Sequence, residues 1–357
     1  MVQRLKPESF DGEVKGKPVG LYLLKNKNGM EAAICNWGAR ICQILAPDRE
    51  GRLDDVVFGY DTLEKTLAGL PEMGALIGRV ANRIAQARFD LNGRSYRLEA
   101  NDGPHCLHSG PAGCMRSVFD VDRADGRSLK MSLELPDGMD GFPGNCMLSA
   151  VYELNDENEL TMTLEAVTDA PTLVNFCNHA YFNLSGTAHS ESDILEHRLQ
   201  LNADRYTLTD ETLVPTGEIA PVAGTPLDFT QPHAIGERID ENHEQLRRGR
   251  GYDHNFILNK APEEKSTSPV FAARLSEPRS GRALEVWTTE PGIQLYTGNF
   301  LHDGCIGKNE RVMFRRSSLC LETQHFPDAI HHPNFPGIVL NPGERYASTT
   351  KFRFGTK

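Results

Sequence analysis

The stretch "RFDLNGRSYRL", residues 88–98, decides the fold class of this chain. Phe89 and Leu91 alternate with polar residues up to Asn92-Gly93, and Tyr96 and Leu98 resume the alternation on the way back. A period of two marks a strand with one covered face, and Asn-Gly supplies the positive φ angles of a type I′ turn. The spacing therefore predicts an antiparallel hairpin.

The pattern recurs on both sides of it. "CMLSAVYELNDENELTMTLEAV" (146–167) alternates through Leu148, Ala150, Tyr152 and Leu154, turns at "NDEN", and alternates back through Leu160, Met162 and Leu164. "LKMSLEL", "ALEVWTT", "GIQLYTG" and "RYASTTKFRF" read as further strands. Helical spacing is confined to "DTLEKTLAGL" and "HAIGERI", both short, so nothing supports a βαβ repeat or a parallel sheet. Many antiparallel strands with Gly- and Pro-rich connections imply an all-β sandwich or barrel.

Length would allow two domains in 357 residues, but no Pro/Ser-rich linker, charge block or shift in composition divides the chain. One domain over residues 1–357 is expected. The formal net charge of −11 opposes binding to nucleic acid, which needs clustered Lys and Arg, and fits a small neutral or polar ligand better. The eight cysteines show neither CxxC nor zinc-like spacing and read as reduced structural thiols, which indicates the cytoplasm. The N-terminal "MVQRLKPESFDGEVKGKPVG" has no signal-peptide core, and no run approaches the ~18 apolar residues of a membrane span.

Chemistry has several candidate carriers. In "LCLETQHFPD" (319–328), Leu319, Leu321 and Thr323 share one side of the alternation, and Cys320, Glu322 and Gln324 share the other. The stretch reads as a strand carrying a lone carboxylate, either solvated on a wet face or kept for proton transfer. His108 in "NDGPHCLHSG", His179 in "VNFCNHAYFNLSG" and His254 in "GYDHNF" lie where loops meet strands. In the second of these, Val174 and Phe176 fall on one face, with Cys177, His179 and Tyr181 on the other.

Asn82 and Arg83 in "GRVANRIAQARF", and Gln294 beside Tyr296 in "LEVWTTEPGIQLYTGNF", offer donors and an amide next to aromatic rings. That combination suits a pyranose, which has hydroxyl edges and an apolar face. His331 and His332 in "HHPN" should point to opposite sides of an extended chain, and no HxH or HExxH accompanies them, so no metal site is expected. Walker-type, GxGxxG and GxSxG motifs are missing from the sequence, which weakens nucleotide and acyl chemistry.

Taken in order, "GRVANRIAQARFDLNGRSY", "LHSG", "VNFCNHAYFNLSG", "LDFT", "GYDHNFIL", "LEVWTTEPGIQLYTGNF" and "LETQHFPDAIHHPNFP…LNPGERY" resemble the aldose 1-epimerase (galactose mutarotase) family from about residue 10 to the C-terminus. The resemblance implies a large antiparallel β-sandwich (a supersandwich), a concave face for a free aldohexose, and no metal or organic cofactor. It places Glu322 as catalytic base, His179 as catalytic acid and His108 as a second active-site imidazole. Asp253 falls on a substrate-binding carboxylate, and Asn82, Arg83 and Gln294 on hydroxyl-binding positions.

Ser109 stands where the family commonly has Gly, and Ala180 where it often has Ser, Val or Thr; Ser109 is expected to tighten the loop that places His108. A monomer or homodimer is expected. Two other classes compete: a glycoside hydrolase using Glu322 with Asp253, and a sugar-binding protein without turnover. The presence of both proton-transfer residues disfavours the binding protein, and the need for a free anomeric hydroxyl separates the epimerase from the hydrolase.

Overall fold

The computed structural model describes residues 3–186, 192–260, 268–302 and 304–357. The hairpins pair as their sequences require. Arg88–Leu91 and Arg94–Arg97 form a ladder with Phe89 opposite Tyr96, and Asn92 and Gly93 take φ angles of 52° and 77° at the turn. Cys146–Leu154 pairs with Glu159–Thr168, and the predicted alternating residues of both strands are buried.

That second hairpin sits within a nine-stranded sheet. Its order is Asp120–Ala124, Ser128–Leu135, Cys146–Leu154, Glu159–Thr168, Tyr346–Thr356, Arg282–Thr288, Val270–Ser276, Arg198–Leu201 and His233–Ala234, every pair antiparallel. One face is apolar and the other is largely open to water. Facing it is a six-stranded antiparallel sheet, in the order Tyr181–Phe182, Leu319–Gln324, Gly292–Tyr296, Asp253–Ile257, Arg205–Thr209 and Pro215–Pro221.

The two sheets share one core. Leu133, Leu148, Leu164 and Phe352 from the first pack with Phe256, Ile293, Leu295 and Leu321 from the second. Between the layers, the hydroxyls of Thr323 and Thr350 lie 2.6 Å apart, which gives the one polar residue on that side of Leu319–Gln324 a partner. The fold is an all-β antiparallel sandwich, as expected.

Where the large sheet has an open face, the smaller one does not. Asp253–Ile257, Gly292–Tyr296 and Leu319–Gln324 are buried throughout, so the expectation that Glu322 could lie on a wet face is overturned. The cover comes from the N-terminal third. A four-stranded sheet, Leu21–Lys25, Glu31–Cys35, Arg40–Pro47 and Leu53–Asp55, connects to the edge of the six-stranded sheet through a Val57–Phe182 bridge. Segments between residues 70 and 116 then fold across the polar face.

Three local expectations need correction. "HAIGERI" forms a two-residue strand, His233–Ala234, and a single 3-10 turn, Ile235–Glu237. Its amides bond to the preceding chain, Ile235 N–H to His197 O and Gly236 N–H to Leu195 O, so edge pairing wins over a helical turn. A helix at Glu244–Gly249 was not legible, being too short for a periodic pattern. His331 and His332 do not diverge: the 3-10 turn Ala329–His331 brings both toward Asp328, with His331 Nδ1 2.6 Å and His332 Nε2 3.4 Å from its carboxylate. Among the described residues, no helix is long and apolar enough to cross a membrane.

Candidate active site

Register builds the floor of the site. Asp253, Tyr296, Cys320 and Tyr181 form one rung across four strands, and Asn255, Gln294 and Glu322 form the next. Because side chains alternate, these residues share the face turned away from the apolar core. Above this face lies a cavity of about 460 Å³.

Of the residues expected from the sequence, Asn82, Arg83, His108, His179, Asp253 and Glu322 line the cavity together. Gln294 stands behind them: its Nε2 donates to Asp253 Oδ1 at 2.7 Å, so it holds a lining carboxylate. His254, by alternation, points to the other side of the sheet, where its Nδ1 accepts from Asp253 N–H at 3.0 Å. It is a structural histidine.

The wall that carries Asn82 and His108 is tied down by reciprocal bonds. His108 N–H donates to Asn82 O at 3.0 Å, and Asn82 N–H donates to His108 Nδ1 at 3.1 Å. With Nδ1 accepting, the proton of the neutral ring sits on Nε2, which leaves His108 a donor. Burial, with His179 and Arg83 nearby, pushes its pKa well below the ordinary value and keeps it neutral.

Ser109 does tighten this loop: its hydroxyl accepts from Val80 N–H at 2.6 Å and donates to Val80 O at 3.0 Å. Asn82, His108 and Ser109 all have positive φ (61°, 55° and 67°), so the local bonds hold a backbone that side chains disfavour. Arg83 is anchored through Nε to Asp102 Oδ2 at 2.7 Å.

At the centre, His179 Nε2 lies 3.6 Å from Glu322 Oε1, and both side chains are buried. The ring is clamped between its neighbours. It stacks on Tyr181 at 5.0 Å and meets His108 edge-on at 5.3 Å, and its backbone N–H donates to Ala75 O at 2.9 Å. Glu322 has little hydrogen-bonding support: the Cys177 thiol reaches Oε2 at 3.5 Å.

Burial pushes Glu322 up to about 8, and the negative charges of Asp253 and Glu72 push in the same direction. Burial pushes His179 down to about 4. A protonated carboxyl beside a neutral imidazole carries the same proton count as a carboxylate beside an imidazolium. Between those two values the pair therefore holds one transferable proton, whichever partner has it.

A metal fits poorly here. His179, Cys320 and Glu322 each bring a ligand atom within 4.8 Å of the others. However, Nδ1 of His179 faces the Cys320 sulfur at 3.4 Å while Nε2 faces Glu322, and the two nitrogens of one ring point in diverging directions. One ion cannot engage all three with ordinary geometry.

Sequence reasoning missed Glu72, Asp102, Arg116 and Phe300, which also line the cavity. Glu72, Asp102 and Arg116 lie in segments without strand periodicity that only the chain's return over the sheet brings in, whereas Phe300 follows the floor strand Gly292–Tyr296 and is fixed by its N–H on the Tyr296 hydroxyl at 3.0 Å.

The chain belongs to the aldose 1-epimerase family, whose model matches residues 20–353. Galactose mutarotase from Homo sapiens is 43% identical over 321 residues, covering 90% of each chain. Galactose mutarotase from Sus scrofa is 42% identical over 321 residues, with the same 90% coverage of each. The solved structure of an aldose epimerase homologue from C. elegans aligns with a TM-score of 0.86 at 29% identity, covering 95% of this chain and 99% of that one.

Proposed function

We propose that this protein interconverts the α and β anomers of a free aldohexose, with galactose and glucose as the first candidates. The observation that carries the reading is the buried Glu322–His179 pair, 3.6 Å apart at the floor of a sugar-sized cavity. A hemiacetal has two oxygens on one carbon, the C1 hydroxyl and the ring oxygen. A base and an acid on either side can address one each.

In the starting arrangement the shared proton is on His179 and Glu322 is a carboxylate. Glu322 takes the proton of the C1 hydroxyl, His179 Nε2–H gives one to the ring oxygen, and the bond from C1 to that oxygen breaks. The product is an open-chain aldehyde. After rotation about C1–C2, the pair runs in reverse: His179 removes the proton from the attacking hydroxyl and Glu322 returns one to the aldehyde oxygen. Both groups are restored, so no external proton is needed.

Asp253, held by Gln294, accepts a sugar hydroxyl, while Arg83, Asn82 and the Nε2–H of His108 donate to others. We read the chain as one domain, as a monomer or homodimer, with free cysteines suited to the cytoplasm. The test is polarimetry on freshly dissolved α-D-galactose and α-D-glucose. Faster approach to anomeric equilibrium, abolished by Glu322→Gln, supports the reading. Release of reducing sugar from an aryl glycoside would instead point to a hydrolase.

A further inference from the structure

Sheet order separates two ends of the cavity floor. The strands carrying Asp253 and Tyr181 are three intervals apart, with Glu322 on a strand between them. At the usual strand spacing that is ~14 Å. The Asp253 end already has Gln294, Arg83 and Asp102. The other end is walled by Pro71 and Glu72, and Glu72 Oε1 lies 3.5 Å from the Tyr181 hydroxyl. That bond is at the long limit and leaves most of the carboxylate's acceptor capacity uncommitted.

A specific device holds Glu72 there. Arg40 is fully buried, and its guanidinium donates to Pro71 O at 2.8 Å, to Met73 O, and to Met115 O at 3.4 Å. The carbonyls before and after Glu72 are thus fixed, together with the neighbouring loop that presents Arg116. Desolvation raises the Glu72 pKa above the ordinary carboxylate value, and its own backbone N–H, Arg40, the Tyr181 hydroxyl and Arg116 offset only part of that. Four carboxylates then line the cavity: Asp253 and Asp102, the latter paired with Arg83, at one end, Glu72 at the other and Glu322 between them.

We propose that Glu72 is a specificity-determining residue that accepts a hexose hydroxyl at the end of the cavity opposite Asp253, and that Arg40 is a positioning residue acting through it. This rests on the free-hexose reading above. Held at both flanks, the sugar keeps its anomeric carbon over Glu322 and His179.

The test compares Glu72→Gln, Glu72→Ala and Arg40→Lys with the native enzyme on galactose, glucose and the monodeoxy-galactoses, following mutarotation by polarimetry. Each substitution should raise KM ~10-fold or more while kcat stays close to native. One monodeoxy sugar should lose no further affinity when Glu72 is replaced, and this identifies the hydroxyl it reads. Arg40→Lys and Glu72→Gln together should weaken binding no more than Glu72→Gln alone, a non-additivity that a purely structural arginine would not give. An unchanged KM for every sugar in Glu72→Gln, or equal further losses on all the deoxy sugars, overturns the proposal. If the native protein binds galactose by calorimetry without turning it over, the epimerase reading fails separately, and Kd replaces KM as the readout. If it neither binds nor converts any hexose, both readings fall.

Discussion

Glu290 and Glu322 are each 2% exposed, and each faces a histidine, yet their environments drive them in opposite directions. Glu290 is surrounded by donors: His325 Nδ1 at 2.7 Å from one oxygen and the Tyr346 hydroxyl at 2.8 Å from the other. Burial raises its pKa, but His325, Ser348 and Tyr346 more than offset that, and it stays below the ordinary carboxylate value. Glu322 has a thiol at 3.5 Å, an imidazole at 3.6 Å and other carboxylates nearby, and burial drives it up to about 8. Depth alone does not make a carboxylate reactive. What matters is how many of its lone pairs the protein leaves for something else to fill.

The hardest test of this contrast is turnover. Glu322→Gln and His179→Asn should each lose ~10²- to 10⁴-fold in kcat by polarimetry, whereas Glu290→Gln should stay near native. An equal loss in Glu290→Gln would break the distinction.

Stability should divide the same pair the other way. Removing the charge from the hydrogen-bonded Glu290 should cost ~3 kcal/mol in urea unfolding. A group whose folded pKa is raised adds stability below its unfolded pKa and loses that contribution as pH rises through the folded value. For Glu322 the loss runs from the ordinary carboxylate range up to about 8. Glu322→Gln, permanently neutral, should therefore be more stable than native by several kcal/mol (on the order of 5) at pH 9, with little difference at pH 4.

Binding effects come next. Asp253→Ala should raise KM ~10-fold, since it removes a charged acceptor from a buried site. A fully normal enzyme would remove Asp253 from the substrate contacts.

The smallest effect is on the pH profile. The one-proton state of the pair should give a bell-shaped kcat/KM with limbs near about 4 and about 8. Asp253 holds the Glu322 proton on, so Asp253→Asn should move the alkaline limb down by ~0.5–1 pH unit. An unmoved limb would assign it to another group.

Most of the floor was legible in the sequence because strands announce themselves locally. The Asn92-Gly93 turn and the alternation through Leu148–Leu154 need no distant information. Glu322 was visible as a charged residue between apolar strand neighbours, and the quoted motifs brought in His179, His108, Asn82, Arg83, Asp253 and Gln294. What could not be read was who covers whom. Whether Leu319–Gln324 has one buried face or two depends on segments more than two hundred residues earlier, and so did the status of Glu322 as solvated or enclosed.

The same limit applies to the partners of Glu290, and to Arg40, which looks like an ordinary strand residue until its guanidinium meets the 71–73 carbonyls. His331 and His332 went wrong for a local reason. The tight turn after Asp328, itself at φ 55°, rotates both rings to one carboxylate.

The separation between a floor built on strands and walls built from loops also bears on how such an enzyme can change. The proposed proton-transfer pair belongs to the floor, with Glu322 inside a ladder whose hydrogen bonds fix its neighbours and His179 just before the adjoining edge strand. Glu72, Asp102 and Arg116 belong to the walls. Mutation, natural or directed, can thus explore new sugars through the wall segments while the reacting centre is inherited unaltered. A library for altered substrate preference should begin at residues 70–73, at Asp102 and at Arg116, and leave His108 and the ladder alone.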